Sequence, residues 1–206
     1  MGELLSILGK EDFYFAMLRT ATPVLLTTLG AMTASRAGVS NIALEGTMLF
    51  AAFFGVIVSA FSQSALLGFL AAVGIGLFIS LLLSYFIVEL HSNGILSGIA
   101  LNTLASGGTI FLLFLITGEK GASTSLHSLK LPALNIPLIE NIPFVGKILS
   151  GQHILTYLSL LLVFAIATLF KKSRLGMEII AVGENPEAAE SLGISVKRVK
   201  RTALLI

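Results

Sequence analysis

The residues whose types and spacing could do chemistry stand in three places in a chain that is otherwise mostly apolar. The first is Gly183-Glu184-Asn185-Pro186-Glu187-Ala188-Ala189-Glu190-Ser191-Leu192-Gly193-Ile194. Its pattern predicts a very short helix capped at both ends. Asn185 can accept a hydrogen bond from the first free amides, and Pro186 suits the first helical position because it has no N–H to leave unpaired. Glu187 lies in the first turn, where the positive end of the helix dipole favours an acid. Gly193 can take the left-handed conformation that closes the last turn. Met177 to Val182 precede it, and Lys197, Arg198, Lys200 and Arg201 follow. From these residues alone it reads as a docking knob or as an ordinary solvated loop helix.

The second place is Arg36-Ala37-Gly38-Val39-Ser40-Asn41-Ile42-Ala43-Leu44-Glu45-Gly46, which sets Arg36, Asn41 and Glu45 between two apolar runs. Charged groups this close to hydrocarbon are costly and normally face protein or water. Three roles stay open: helix ends at an interface with Arg36 snorkelling to headgroups, a hydrogen-bonded brace between helices, or direct substrate contact. The third place is Gly98, Asn102, Ser106 and Thr109, whose spacing puts them on one helical face. Such a stripe suits close packing, since Gly94 and Gly98 form a small-xxx-small pair and Asn102 can bond across to a neighbour. It could also line a polar pathway at mid-membrane depth. Packing is the preferred reading, with Asn102 central to either.

Catalytic patterns are missing from the sequence. His91, His127 and His153 are far apart and lack metal-ligand spacing. No Gly-Lys-Ser or Gly-Lys-Thr marks a phosphate loop, and Glu45 and Glu89 are isolated carboxylates. There is no cysteine, which excludes disulfides and thiolate metal sites. No catalytic residue, metal or cofactor is therefore expected, and any energy must come from another chain. A net charge of +2 gives no reason to expect nucleic acid.

The elements that position these residues follow from composition. Of 206 residues, 55% are hydrophobic and 12% charged, with a mean hydropathy of +0.96; a soluble domain carries roughly twice that charge fraction. Runs long enough to cross a hydrocarbon core of about 30 Å recur, each needing about 20 helical residues. The expected fold is all-α, a polytopic transmembrane helical bundle in a lipid bilayer, forming a single domain over 1–206. Five spans are expected, at Phe13 to Ser35, Leu44 to Phe61, Ala65 to Leu90, Ile95 to Thr117 and His153 to Phe170. Thr202 to Ile206 starts a sixth, inside which the chain stops. No cleavable leader is expected, because the first apolar run lacks a strongly basic start. Gly118 to Gln152, with Pro132, Pro137 and Pro143, reads as an ordered loop with a helical turn near Ile142 to Leu149. Lys171 to Arg201 reads as a polar loop holding Lys171, Lys172, Arg174, Lys197, Arg198, Lys200 and Arg201. The positive-inside rule puts that loop in the cytoplasm and Gly118 to Gln152 outside. Arg36 to Glu45 and Glu89 to Gly94 then fall inside, and the N-terminus outside.

With these residues in view, the chain resembles an ABC-importer permease of the branched-chain amino acid, ribose and nucleoside superfamily. Ala181 to Lys197 is similar to the family's Gly-x-Asn-x-x-Ala-Ala-x-x-x-Gly-Ile-x-Val signature. Arg36 to Gly46 resembles the Glu-Arg-x-Gly-x-x-Asn-Ile-x-x-Glu-Gly segment of the nucleoside (simple sugar) branch, with Ser35 where that branch carries glutamate. The resemblance runs over nearly the whole chain. It implies that Asn185, Pro186, Glu187, Ala188, Ala189 and Gly193 form the coupling helix, which docks into a groove on a cytoplasmic ATPase subunit. It also implies a second, homologous permease subunit, an external substrate-binding protein received by Gly118 to Gln152, and a place in the bacterial cytoplasmic membrane. Family members run longer, so the chain is expected to be the N-terminal portion of a truncated permease. Nucleosides are the expected cargo, with a ribose-like sugar or a branched-chain amino acid as alternatives. A membrane scaffold that transports nothing is the alternative from another class. A membrane enzyme ranks below both, since no acid/base pair or metal cluster is present to do the chemistry.

Overall fold

A computed structural model describes residues 11–119, 126–134 and 150–206; the expected helical turn near Ile142 to Leu149 lies outside them. The long helices are α1 (Glu11–Arg36), α2 (Leu44–Ser62), α3 (Ala65–Ser84), α4 (Gly94–Thr117) and α5 (Ile154–Lys172). α3 runs on into a π-helical turn, Tyr85–Glu89. Shorter helices follow: α6 (Arg174–Glu184), α7 (Pro186–Ser191) and α8 (Val196–Leu205). The five long helices, α3 counted with its π turn, are long and apolar enough to cross a membrane. Their limits agree with the expected spans to within a few residues.

Three features depart from the expectations. Gly118 to Gln152 includes β1 (Ala133–Leu134), which pairs antiparallel with β2 (Gln152–His153), Ala133 opposite His153. His153 therefore belongs to a strand and α5 starts one residue later. Gly151, at φ +80°, turns the chain there and donates its N–H to the Leu134 carbonyl. Second, Lys171 to Arg201 is mostly helix. Ser173 caps α6 by accepting the Gly176 N–H at 3.0 Å, and Gly176, Ile179 and Val182 are buried along one stripe. Third, Thr202 to Leu205 complete α8, which begins among the basic residues and buries Val199, Ala203 and Leu204.

The chain forms two compact units. One holds residues 11–29 of α1 with β1, β2 and α5 as far as Leu169. α1 passes through Pro23 without a break, and its threonines mostly bond their own helix: Thr20 donates to the Ala16 carbonyl, Thr27 to Pro23 and Thr28 to Val24. Thr22 also donates to the Thr156 hydroxyl of α5 at 3.0 Å, and the buried Gln152 donates to the Phe15 carbonyl.

The second unit, residues 30–130 and 170–206, has a core of Ala34, Val39, Ala43, Phe50, Ile79, Leu83, Leu101, Ala105 and Leu204. α2 and α3 form a hairpin that closes through glycine. A Cβ on Gly68 would stand 2.6 Å from the Ser59 Cβ and 2.7 Å from the Gly55 carbonyl oxygen. Side chains that small let helix backbones approach each other where no hydrophobic effect drives association. Gly68→Val should therefore lower stability by about 1–3 kcal/mol through overpacking. Gly74→Val is the control, because nothing lies within 4 Å of a Cβ there. Thermal unfolding in detergent measures both.

Candidate functional site

The Arg36 to Gly46 break is built from backbone closure. Gly38, at φ +72°, donates its N–H to the Ser35 carbonyl, and Val39 donates to Ala34, both at 3.0 Å. This pair of bonds caps α1 and satisfies carbonyls that the helix end leaves free. Asn41 then accepts the Ala43 N–H on Oδ1 at 3.1 Å and turns the chain into α2.

From α4, Asn102 reaches across to the same place. Its Oδ1 accepts the Gly46 N–H at 2.8 Å and its Nδ2 donates to the Ile42 carbonyl at 2.9 Å. One amide thus pairs a donor and an acceptor at the start of α2, a region rich in unpaired backbone groups. The approach requires glycines on both sides. A Cβ on Gly46 would lie 2.8 Å from Asn102 Oδ1, and one on Gly98 would lie 2.9 Å from the Ile42 Cβ.

The sequence-predicted residues divide accordingly. Asn41, Gly98 and Asn102 meet in a brace between α2 and α4. Arg36 and Glu45 have exposed side chains, and no ion pair joins them among the described residues. Ser106 is exposed and bonds the Thr103 carbonyl, while Thr109 bonds Ala105, both within α4. The stripe on α4 therefore packs at its Gly98–Asn102 end and leaves Ser106 outside that contact.

The other motif joins this site through Gly183. A Cβ there would collide with the Arg36 carbonyl oxygen and stand 3.1 Å from the Gly38 N. α6 therefore ends with its backbone laid against the cap of α1, and Ala37, Ile179 and Val182 are fully buried. Asn185 then serves two helices: its N–H closes α6 on the Ala181 carbonyl, and its Oδ1 accepts the Ala188 N–H at 3.0 Å to open α7. Pro186 takes the first helical position. At the far end Gly193, at φ +80°, donates to the Glu190 carbonyl and Ile194 to Ala189. Of α7 only Ala189 is buried; Pro186, Glu187 and Ala188 are exposed. Leu192 is 81% exposed, the largest value for a large apolar side chain among the described residues. Sequence reasoning passed over Leu192; its signal was a large apolar side chain set directly before the closing glycine.

A third segment comes to the same region. Glu89 accepts from Arg201 at 2.7 Å and from Lys197 at 3.3 Å, and a Cβ on Gly94 would lie 3.2 Å from the Ser40 carbonyl oxygen. Residues 36–46, 89–94 and 183–201 thus meet one another, although the chain separates them widely.

Comparison with known proteins identifies the group. The family described as branched-chain amino acid transport system / permease component matches residues 13–206. The chain belongs to that family. It is 34% identical over 198 residues to the guanosine ABC transporter permease protein NupQ of Bacillus subtilis, covering 93% of this chain and 61% of the relative. It is 32% identical over 199 residues to the nucleoside ABC transporter permease protein NupC of Lactococcus lactis, covering 92% and 61%. TsgC13 of Haloferax volcanii, provisionally named a glucose ABC transporter permease protein, is 33% identical over 195 residues, covering 93% and 57%. The chain therefore spans about three fifths of these relatives' length. No solved structure matches it. With five apolar helices among the described residues and this family, the chain is a multi-pass protein of the cytoplasmic membrane.

Two substitutions test the junction. Asn102→Leu leaves the Gly46 N–H and the Ile42 carbonyl unpaired and should cost about 1–3 kcal/mol. Gly183→Ala forces α6 off the α1 cap and should destabilise comparably. Gly107→Ala, where a Cβ meets nothing within 4 Å, should be neutral or slightly stabilising. Thermal unfolding in detergent ranks the three.

Proposed function

We propose that this permease is the membrane-spanning subunit of an ATP-driven ABC importer for nucleosides. Substrate arrives from an external binding protein, a second homologous permease subunit completes the pathway, and ATP hydrolysis occurs on a separate cytoplasmic ATPase. The carrying observation is α7: a helix of 6 residues, closed at both ends by its own side chain and glycine, with Leu192 standing 81% exposed beside it. A leucine so exposed outside the apolar spans suits burial on a partner, which is worth about 1.5–3 kcal/mol.

The charge pattern supports a cytoplasmic position for α7, since Lys171, Lys172, Arg174 and the basic residues of α8 surround it in sequence. The geometry supplies a route for the motion. A push on α7 reaches the end of α1 through the Gly183–Gly38 contact, and the Asn102 brace lies one short segment beyond. Nucleosides are favoured by the guanosine and nucleoside permeases among the relatives; the glucose permease keeps a sugar as the second reading.

Leu192→Asp should reduce co-purification of the ATPase subunit at least tenfold and abolish uptake, with the permease still present in the membrane. Asn185→Ala, which uncaps α7 at about 1 kcal/mol, should weaken both less. Unchanged co-purification and uptake in Leu192→Asp would sink the docking reading. Uptake of labelled guanosine, competed by unlabelled guanosine, glucose and leucine, separates the substrates. In proteoliposomes, ATPase binding without substrate movement would point instead to the scaffold.

A further inference from the structure

α3 does not end as an α-helix. In its π-helical turn Leu90 donates its N–H to the Tyr85 carbonyl, five residues back, at 3.1 Å. One inserted residue rotates everything after it by about 100° around the helix axis, so the turn sets the direction in which Glu89 leaves. Two further irregularities lie beside it. Ser84 is buried and its Oγ has no hydrogen-bond partner, although Thr47, Thr103 and Thr109 all bond the carbonyl four residues back. His91, a non-glycine residue, holds φ +52°. Irregular backbone and an unpaired buried hydroxyl are unfavourable, and they collect at the point where Glu89 meets α8.

The contact itself is specific in shape. Glu89 Oε1 accepts from Arg201 at 2.7 Å and Oε2 from Lys197 at 3.3 Å, so each carboxylate oxygen holds one cation. Lys197 and Arg201 are one turn apart on one face of α8. α8 also buries Val199, Ala203 and Leu204. Ion pairs this open to solvent add little stability: the side chains are 34%, 61% and 48% exposed. The pair joins α8 to the end of α3. Only residues 192–195 separate α8 from α7.

We propose that Glu89 is a positioning residue for energy coupling: its two-cation clamp, aimed by the π turn, makes α8 and the end of α3 move together. Displacement of α7 is then carried to α3 instead of being absorbed in the link at 192–195. This rests on the docking reading of α7. With the Gly183–Gly38 contact on the other side, α7 is held to the membrane helices at both of its ends.

The test uses the permease co-purified with its ATPase and reconstituted in proteoliposomes. Glu89→Gln should leave ATPase co-purification unchanged, lower uptake at least fivefold, and raise the ATP consumed per substrate at least fivefold. Glu89→Lys should behave the same way, and adding Lys197→Glu with Arg201→Glu should restore at least half of the uptake. Spin labels at His91→Cys and Arg198→Cys, in a chain with no cysteine of its own, should show one narrow distance that broadens in Glu89→Gln. Unchanged uptake and ATP ratio in Glu89→Gln overturn the proposal. So does loss of ATPase co-purification, or failure of the charge swap with an unchanged label distance. Retained co-purification in Leu192→Asp overturns the docking reading instead, so the two failures are distinguishable.

Discussion

The second unit depends on a contact in which two backbones touch with no side chain between them. Gly183 lies on the cap of α1, where Gly38 turns the chain, and any Cβ at 183 meets the Arg36 carbonyl. A contact of this kind cannot be made softer by rotamer changes, because neither partner has a rotamer. It holds α6 against α1 at a fixed distance, and the burial of Ile179, Val182 and Ala37 follows from that distance. Side chains then add direction: Asn102 fixes α4 on the start of α2, and Glu89 sets α8 on the end of α3.

The parts of this arrangement that were legible in the sequence were local ones. Asn185, Pro186, Glu187 and Gly193 act within a few residues of themselves, so their cap could be read before any contact was known. Span lengths were legible for a similar reason, since hydrocarbon thickness acts on each run independently. Asn102 was readable as an amide in an apolar helix, a group that must find partners, although which partners depended on the neighbouring helix.

What stayed hidden depends on distant residues. Gly183 was read only as the first residue of the capped stretch, and the approach of Gly38 is what gives it a reason. The π turn leaves no mark in Tyr-Phe-Ile-Val-Glu, because an apolar run serves α and π backbone equally well. Lys171 to Arg201 read as a loop because its charges hid a burial stripe at Gly176, Ile179 and Val182 that needs a packed surface to become visible. Arg36 and Glu45 were the opposite case: their charge drew attention, yet the work of that break is done by Gly38, Asn41 and Gly46.

The double closure of α7 has an evolutionary consequence. Its conformation is specified by Asn185 and Gly193, and its seating by Ala189, none of which needs to read a partner. The outward residues Glu187, Ala188, Ser191 and Leu192 carry little of the folding burden. On the docking reading of α7, they are free to drift together with a partner's surface while the helix stays intact. On that reading, exchange of partners becomes a change of vocabulary at four positions, written in an unchanged grammar.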